Sequence, residues 1–495
     1  MNNLFQQLPV ILLIILLGAA FIVPLLGRKR EWLAFILTAA VLFALFLGAI
    51  VLLFVVRYHG PFTYQLGNWP PPWGIELLVD YLAVYVLMIL GTIAFLVMAY
   101  GARDLQHEIG TNVRHWYYSL YLLLLFAMSG MALTNDLFNL FVFMEISAIA
   151  SCGIISIKEE RRCAEAALKY LILSTLGSGC FLLAVAMLYM VTGNLNLQYV
   201  AGGLPAALSL YPYNILIALS LIIVGLGVKA ALFPLHVWLP DAHSAAPTPS
   251  SAVLSALVIK IYAVAMVKIF AVFPAELFAV VPVLEIVLIL SALAAVAGSV
   301  FAMLQDDIKK MLACSSIAQI GFVFMGIGFF EGQALIGGLL HIFNHAVIKA
   351  MLFLAAGLII YATGIRRISE FRGLGMRLPL TMSAFVVGAL AMVGIPGTSG
   401  FVSKWYLALG ALESGKPFYI VVILLSSLLN GVYYFPIVIT AFFGSEPQPS
   451  TERRDLPLSM LVPVLLLAAA TIFFGFYPRP LVELLQQVLA SQGLR

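Results

Sequence analysis

The sequence predicts an all-α polytopic membrane protein with about fourteen transmembrane helices. Three observations carry that expectation. Of the 495 residues, 63% are hydrophobic and 10% are charged, against about 25% charged in a soluble domain. The apolar runs are continuous over about twenty residues, as membrane helices require. They do not alternate in segments of about ten, as in a transmembrane barrel. The basic residues between the runs fall in alternate loops, which one missed helix would scramble.

Taken in order, the runs centre near residues 17, 45, 91, 124, 146, 180, 226, 258, 290, 319, 349, 395, 430 and 467. The first, near residues 8–26, lacks a basic leader and a small-residue cleavage site, so it reads as a retained span rather than a signal peptide. Two longer loops follow. Residues 57–80 end in Trp69, three prolines and Trp73, a stiff interfacial anchor. Residues 193–212 carry no charge and are expected to pack on the protein surface or a neighbour. Sixteen of the 26 Lys and Arg, from Arg28 to Arg453 and Arg454, lie on one side. Only Arg57, Lys416, Arg479 and Arg495 lie on the other, and six lie within spans. The basic side is placed in the cytoplasm and both termini outside.

Composition also excludes functions. No basic cluster is interleaved with aromatics, so nucleic acid is not an expected partner. The four cysteines, Cys152, Cys163, Cys180 and Cys314, form no C-x-x-C pair and read as small buried hydrophobes. No iron–sulfur, haem or zinc ligand set is visible, so no cofactor, metal or redox site of the chain's own is expected.

The chemistry lies in charges within the spans. A charge at the bilayer centre costs about 2.5–3.5 kcal/mol on insertion scales. Glu145, mid-span, has no partner nearby in sequence, so its partner must come from another helix. Lys229 is followed by Pro234, Pro240, Pro247 and Pro249, which break the helix at membrane depth. Such a break is tolerated where it is buried or lines a wet cavity, so Lys229 is expected beside freed carbonyls. Lys260 lies about ten residues into a helix capped by Ser250 or Ser251. Lys268, two turns further on, can snorkel. His341, His345 and Lys349, spaced i, i+4, i+8, share one helix face. With no third ligand evident they suggest a proton relay rather than a metal site, and Asn344 could orient water beside them. Lys404 follows a second break at Gly394, Pro396, Gly397 and Gly400. Paired breaks in two halves of a chain suggest an inverted repeat with its sites at the breaks. His236, Asp241 and His243, with Lys169, are candidates for proton uptake from the cytoplasm. Glu285 is a weaker candidate for release.

At these residues the chain resembles a family. FMEISAIASCG, GVKAALFPLHVWLPDAHSAAPTPSSAVLSALVIK, KKMLACSSIAQIGF, HIFNHAVIKAMLFLAAG and GIPGTSGFVSKW are similar to the antiporter-like subunits of respiratory complex I. They are similar too to subunits of Mrp-type Na+/H+ antiporters and membrane-bound hydrogenases, with the D-type Mrp subunit and its hydrogenase counterpart the closest in pattern. The resemblance implies three N-terminal helices over residues 1–110. It implies two inverted five-helix repeats at 111–272 and 273–443, with helices 7 and 12 broken, and a final helix with the C-terminus at 444–495. It implies a hydrated polar axis carrying Glu145, Lys229, Lys260, His341, His345 and Lys404. Lysine at the twelfth-helix position argues against members that carry glutamate there. The long lateral helix of the largest complex I antiporter subunit is not expected, because little sequence follows the last span. The expected function is proton translocation, with Na+ a further candidate ion, as a subunit among other membrane subunits in a prokaryotic plasma membrane. Two other classes remain: a stand-alone carrier of an organic solute, and a purely structural subunit.

Overall fold

A computed structural model describes residues 3–444 and 456–493 of the chain. Arg453, Arg454 and Arg495, used above to orient the chain, lie outside the described residues.

Two apolar helices open the chain, α1 (Asn3–Gly27) and α2 (Glu31–His59). The proline-rich loop becomes an antiparallel hairpin, β1 (Phe62–Gln65) with β2 (Glu76–Val79), pairing Phe62 with Val79 and Gln65 with Glu76. Trp69 and Trp73 stand exposed between the strands, where an interfacial anchor belongs. Asp80 then caps α3 (Tyr81–Glu108) by accepting from the Ala83 N–H at 2.7 Å. After α4 (Arg114–Leu133), Asp136 caps α5 (Leu137–Ser156) in the same way through Asn139. Helix α6 (Arg161–Thr192) stops at Gly193, whose φ of +71° suits glycine. The uncharged loop folds into α7 (Leu197–Leu210), capped by Asn196.

The seventh crossing is broken as expected. Helix α8 (Pro212–Lys229) ends at Lys229, and α9 (Leu239–Ala245) resumes after nine residues of irregular chain. The eighth crossing is α10 (Thr248–Val253), a π-helical turn at Leu254–Val258, and α11 (Ile259–Phe270). Its cap differs from the serines the sequence suggests. The helix starts at Thr248, whose N–H donates to Glu108 of α3 at 2.9 Å. A tertiary acid takes the place of a local cap.

The second half comprises α12 (Ala275–Val280), α13 (Val283–Met303), α14 (Ile308–Phe329), α15 (Gly332–Thr363) and α16 (Leu374–Arg377). It continues with α17 (Pro379–Val393), α18 (Ser399–Glu413), α19 (Phe418–Phe443), α20 (Leu458–Phe476) and α21 (Arg479–Ser491). Thirteen helices among the described residues are long and apolar enough to cross a membrane. Helices α17 and α18 have 15 residues each, roughly 22 Å, short of a hydrocarbon core of about 30 Å, and are separated by the break at Gly394 to Thr398. The α10–α11 span and α14 are entirely buried and form the centre of the bundle. The other helices wrap them, and Lys260, His341, His345 and Lys349 are buried in this centre.

The end of α8 is set by a close crossing with α6. A Cβ on Gly225 would lie 2.6 Å from the Gly177 carbonyl oxygen and 3.0 Å from the Phe181 nitrogen. Only glycine permits that approach. Gly225→Val should force α6 and α8 apart and cost about 1–3 kcal/mol. A lower thermal midpoint of the detergent-solubilised protein would show it; an unchanged midpoint would show that the crossing is not needed.

Candidate functional site

The site begins where α5, α6 and α8 meet. The Lys229 amino group lies 3.3 Å from a carboxylate oxygen of Glu145. The Ser178 hydroxyl, next to the Gly177 crossing, hydrogen-bonds the same oxygen. Glu145's partner thus comes from another helix, as a mid-span carboxylate requires. The Lys229 side chain is wholly buried, whereas that of Glu145 is 31% exposed. The pair is therefore closed on the lysine side and open on the acid side.

The freed carbonyls of this break are not left to Lys229. The Leu226 oxygen takes the Ala230 N–H, the Gly227 oxygen takes the Leu232 N–H, and the Val228 oxygen takes the Trp238 indole at 2.9 Å. Ala231 turns the chain with φ +56°. With its neighbouring carbonyls satisfied, Lys229 turns to Glu145 instead. The Tyr262 ring stands 5.9 Å from its amino group, and Tyr262 donates to Ser147 at 3.1 Å.

Lys260 sits just past the π-helical turn and donates to the Ser255 carbonyl within it. Single π turns inside α-helices are frequent at functional sites. On α15, His341 and His345 stack with ring centroids 5.8 Å apart. His341 is fixed by hydrogen bonds to Ser403 at 2.9 Å and Gln319 at 3.1 Å. Both ring nitrogens of buried His345 lack a hydrogen-bond partner among the described residues. Lys349 donates to the Leu312 carbonyl at 2.7 Å and to Ser315.

At the second break the lysine does what the sequence expects at the first. Gly394 and Gly397 take φ of +91° and +87°, which ends α17 and frees its last carbonyls. Lys404 reaches back from α18 to donate to Met392 at 2.7 Å, Val393 at 3.0 Å and the Ser427 hydroxyl at 2.9 Å. Asn344 donates to the Ser399 carbonyl at 2.6 Å rather than pointing into open space.

Lys260 lies within electrostatic reach of Lys349, His345 and His341, and His341 in turn of Lys404, along the buried centre. The uptake candidates divide. Lys169 and Asp241 form an ion pair at 2.8 Å on the surface, with side chains 61% and 37% exposed. His236 is buried between the rings of Phe233 and Phe301. His243 is buried beside Phe353, both ring nitrogens unpartnered among the described residues. Glu285 pairs with Lys416. Among the described residues no three His, Cys, Asp or Glu side chains converge on a metal-sized site.

Two features escape the sequence. Lys268 does not snorkel: its amino group is buried on the Ala132 and Thr134 carbonyls at 2.9 and 2.7 Å, at the end of α4. Lys309, which reads as a loop cation, is buried and donates to the Ala246 carbonyl at 2.6 Å. Ser178, Ser403 and Gln319 carry no pattern that marks them, because only the neighbouring helix gives them a partner.

This architecture, with two interrupted helices around a buried file of lysines and histidines, defines an antiporter-like membrane subunit. The profile of the family described as NADH:quinone oxidoreductase/Mrp antiporter, transmembrane, matches residues 134–430. The chain belongs to that family. It is 39% identical to NADH-quinone oxidoreductase subunit N of Desulforudis audaxviator, over 96% of this chain and 97% of that one. It is 29% identical to the D-type Na(+)/H(+) antiporter subunit of Alkalihalophilus pseudofirmus, over 99% and 97%. Among solved structures it is similar to a chain of an archaeal membrane-bound sulfane sulfur reductase, with TM-score 0.91 and 32% identity, covering 99% and 98% of the two chains. It is also similar to a chain of the Mrp complex of a Dietzia species, with TM-score 0.89 and 25% identity over the same shares.

The exposed Lys169–Asp241 pair should contribute little, because water screens an ion pair at the surface. Lys169→Ala is expected to give wild-type yield and an unchanged thermal midpoint. A clear fall in the midpoint would show that the pair is structural.

Proposed function

We propose that this chain is the proton-translocating subunit of a larger membrane complex, with the Glu145–Lys229 pair as its switch. One observation carries the reading: a wholly buried lysine at a helix break is held by a single carboxylate that remains partly exposed at the surface of the chain. Moving Glu145 toward Lys229 favours the charged lysine, and moving it away favours proton release. The proton then passes by Lys260, His345 and His341 to Lys404, with Lys349 alongside. The stacked histidines can carry it, since each ring can bind a proton on one nitrogen and release one from the other.

The relatives support the complex. They are named as subunits of a quinone oxidoreductase and of a Na+/H+ antiporter, and the structural neighbours come from multisubunit assemblies. A proton crossing 100 mV needs about 2.3 kcal/mol. A neighbouring subunit must supply that energy, from electron transfer or from a sodium gradient. We place the chain in the plasma membrane of a prokaryotic cell, basic loops inward and both termini outward, on the bias of basic residues alone. We read residues 111–272 and 273–443 as its two inverted units, each with one break.

A carrier of an organic solute would need a pocket at the breaks. Among the described residues a 440 Å³ cavity lies away from the breaks, between α2, α3, α15, α20 and α21, lined by Phe43, Phe95, Phe343 and Phe474. It suits a lipid chain more than a transported solute.

Lys229→Ala should abolish coupled proton movement in the reconstituted complex while leaving the complex assembled; full pumping would overturn the reading. Lys260→Met and Lys404→Met should each reduce translocation strongly. A purely structural subunit would stay fully coupled with both.

A further inference from the structure

We infer that protons are taken up through a cavity at the basic-loop face of the bundle, and that the Asp104 carboxyl is the group that receives them. This deepens the proposed function and rests on it. The cavity has a volume of 240 Å³ and lies among the ends of α3, α10, α14 and α15. At about 30 Å³ per water it has room for several. Neither surface pair member singled out by the sequence, Lys169 nor Asp241, lines it.

Two acids face it from one turn of α3. Asp104 and Glu108, at i and i+4, share a helix face, but their circumstances differ. Glu108 pairs with Lys158, accepts from the Thr248 N–H at 2.9 Å and the Thr248 hydroxyl at 2.6 Å, and also lies against the Asp104 carboxyl. Asp104 is 1% exposed, yet one of its carboxyl oxygens has no hydrogen-bond partner among the described residues. A buried carboxylate left so is costly unless water or a proton reaches it. The nearby cations have other duties. Lys309 is bonded to the Ala246 carbonyl, and Arg366 to Asp307 at 3.1 Å and the Ser244 carbonyl at 2.9 Å. Among the described residues no three His, Cys, Asp or Glu side chains converge there on a metal-sized site, whereas a proton needs only a free lone pair.

The cavity also leads inward. Tyr100 lies one turn before Asp104, and its buried hydroxyl has no partner among the described residues. Helix α15 passes it at Gly357, where a Cβ would come within 2.5 Å of that hydroxyl. His243, both ring nitrogens unpartnered among the described residues, lies within electrostatic reach of Lys309, Lys260 and Lys349. The proton binds Asp104 at the cavity, leaves it for Tyr100 or water, and passes by His243 to the buried file. No electron moves, and Asp104 returns to its carboxylate.

The test uses the intact complex carrying this chain, reconstituted in liposomes and driven by its own electron transfer or sodium gradient, with proton movement read by a pH dye. Asp104→Asn should lower translocation roughly a hundredfold or more, the scale of a lost proton-transfer group, with normal recovery of the complex. Asp104→Glu should restore it. Restoration by glutamate separates proton transfer from packing. Wild-type translocation by Asp104→Asn beside an inactive Lys229→Ala would overturn the uptake site and leave the proposed function standing. Full activity of Lys229→Ala would overturn that function itself. Should the asparagine variant fail to assemble, the wild-type complex decides. Dicyclohexylcarbodiimide, which reacts with protonated carboxyls, should attach to Asp104 and stop translocation. An unmodified Asp104 in the peptide map would overturn the proposal.

Discussion

The fold depends on how a lysine is kept in hydrocarbon. Each buried ammonium needs acceptors, and this chain supplies them mostly from its own backbone where helices end. Lys404 takes the last carbonyls of α17, Lys268 those at the end of α4, and Lys309 that at the end of α9. Lys260 takes a carbonyl inside a π turn. The C-terminal end of a helix is the negative end of its dipole, with unsatisfied oxygens pointing outward. A break at membrane depth and a lysine beside it are each costly alone. Together each satisfies the other.

Against this rule Lys229 stands apart. Among the described residues it alone of the buried span lysines forms an ion pair with a carboxylate. The reason is local: backbone N–H groups and Trp238 have already taken the carbonyls at its break. A backbone carbonyl is fixed by the helix that carries it, but a glutamate side chain can change rotamer, and Glu145 is partly open. The two breaks therefore differ in kind. The first holds its lysine by a movable charge, the second by fixed dipoles, which is why the proposed switch sits at the first. The Gly177–Gly225 crossing serves the same end by bringing Ser178 and the end of α8 onto Glu145.

Much of this was legible in the sequence. The spans, the two breaks and the residues Glu145, Lys229, Lys260, His341, His345, Lys349 and Lys404 all stand out, because a charge or proline is conspicuous against continuous apolar sequence. Misplacements came where a residue's role depends on a distant helix. Lys268 reads as a snorkelling cation near a helix end, but the end of α4 reaches it first. Ser250 and Ser251 read as caps, but Glu108 lies close enough to cap Thr248 instead. Asp104 and Glu108 look like ordinary acids at a helix terminus, and burial alone sets them apart.

By itself, the sequence determined that the chain is a polytopic bundle of apolar helices, where the chain breaks near Pro234 and Gly394, and which costly side chains lie in apolar runs. Those follow from hydropathy, proline and glycine, which act over a few residues. Only the tertiary structure decided the partners: which lysine meets a carboxylate, which rest on carbonyls, and which acid keeps an open oxygen. Hydrogen bonds act over about 3 Å, and the helices that come that close are far apart in the chain.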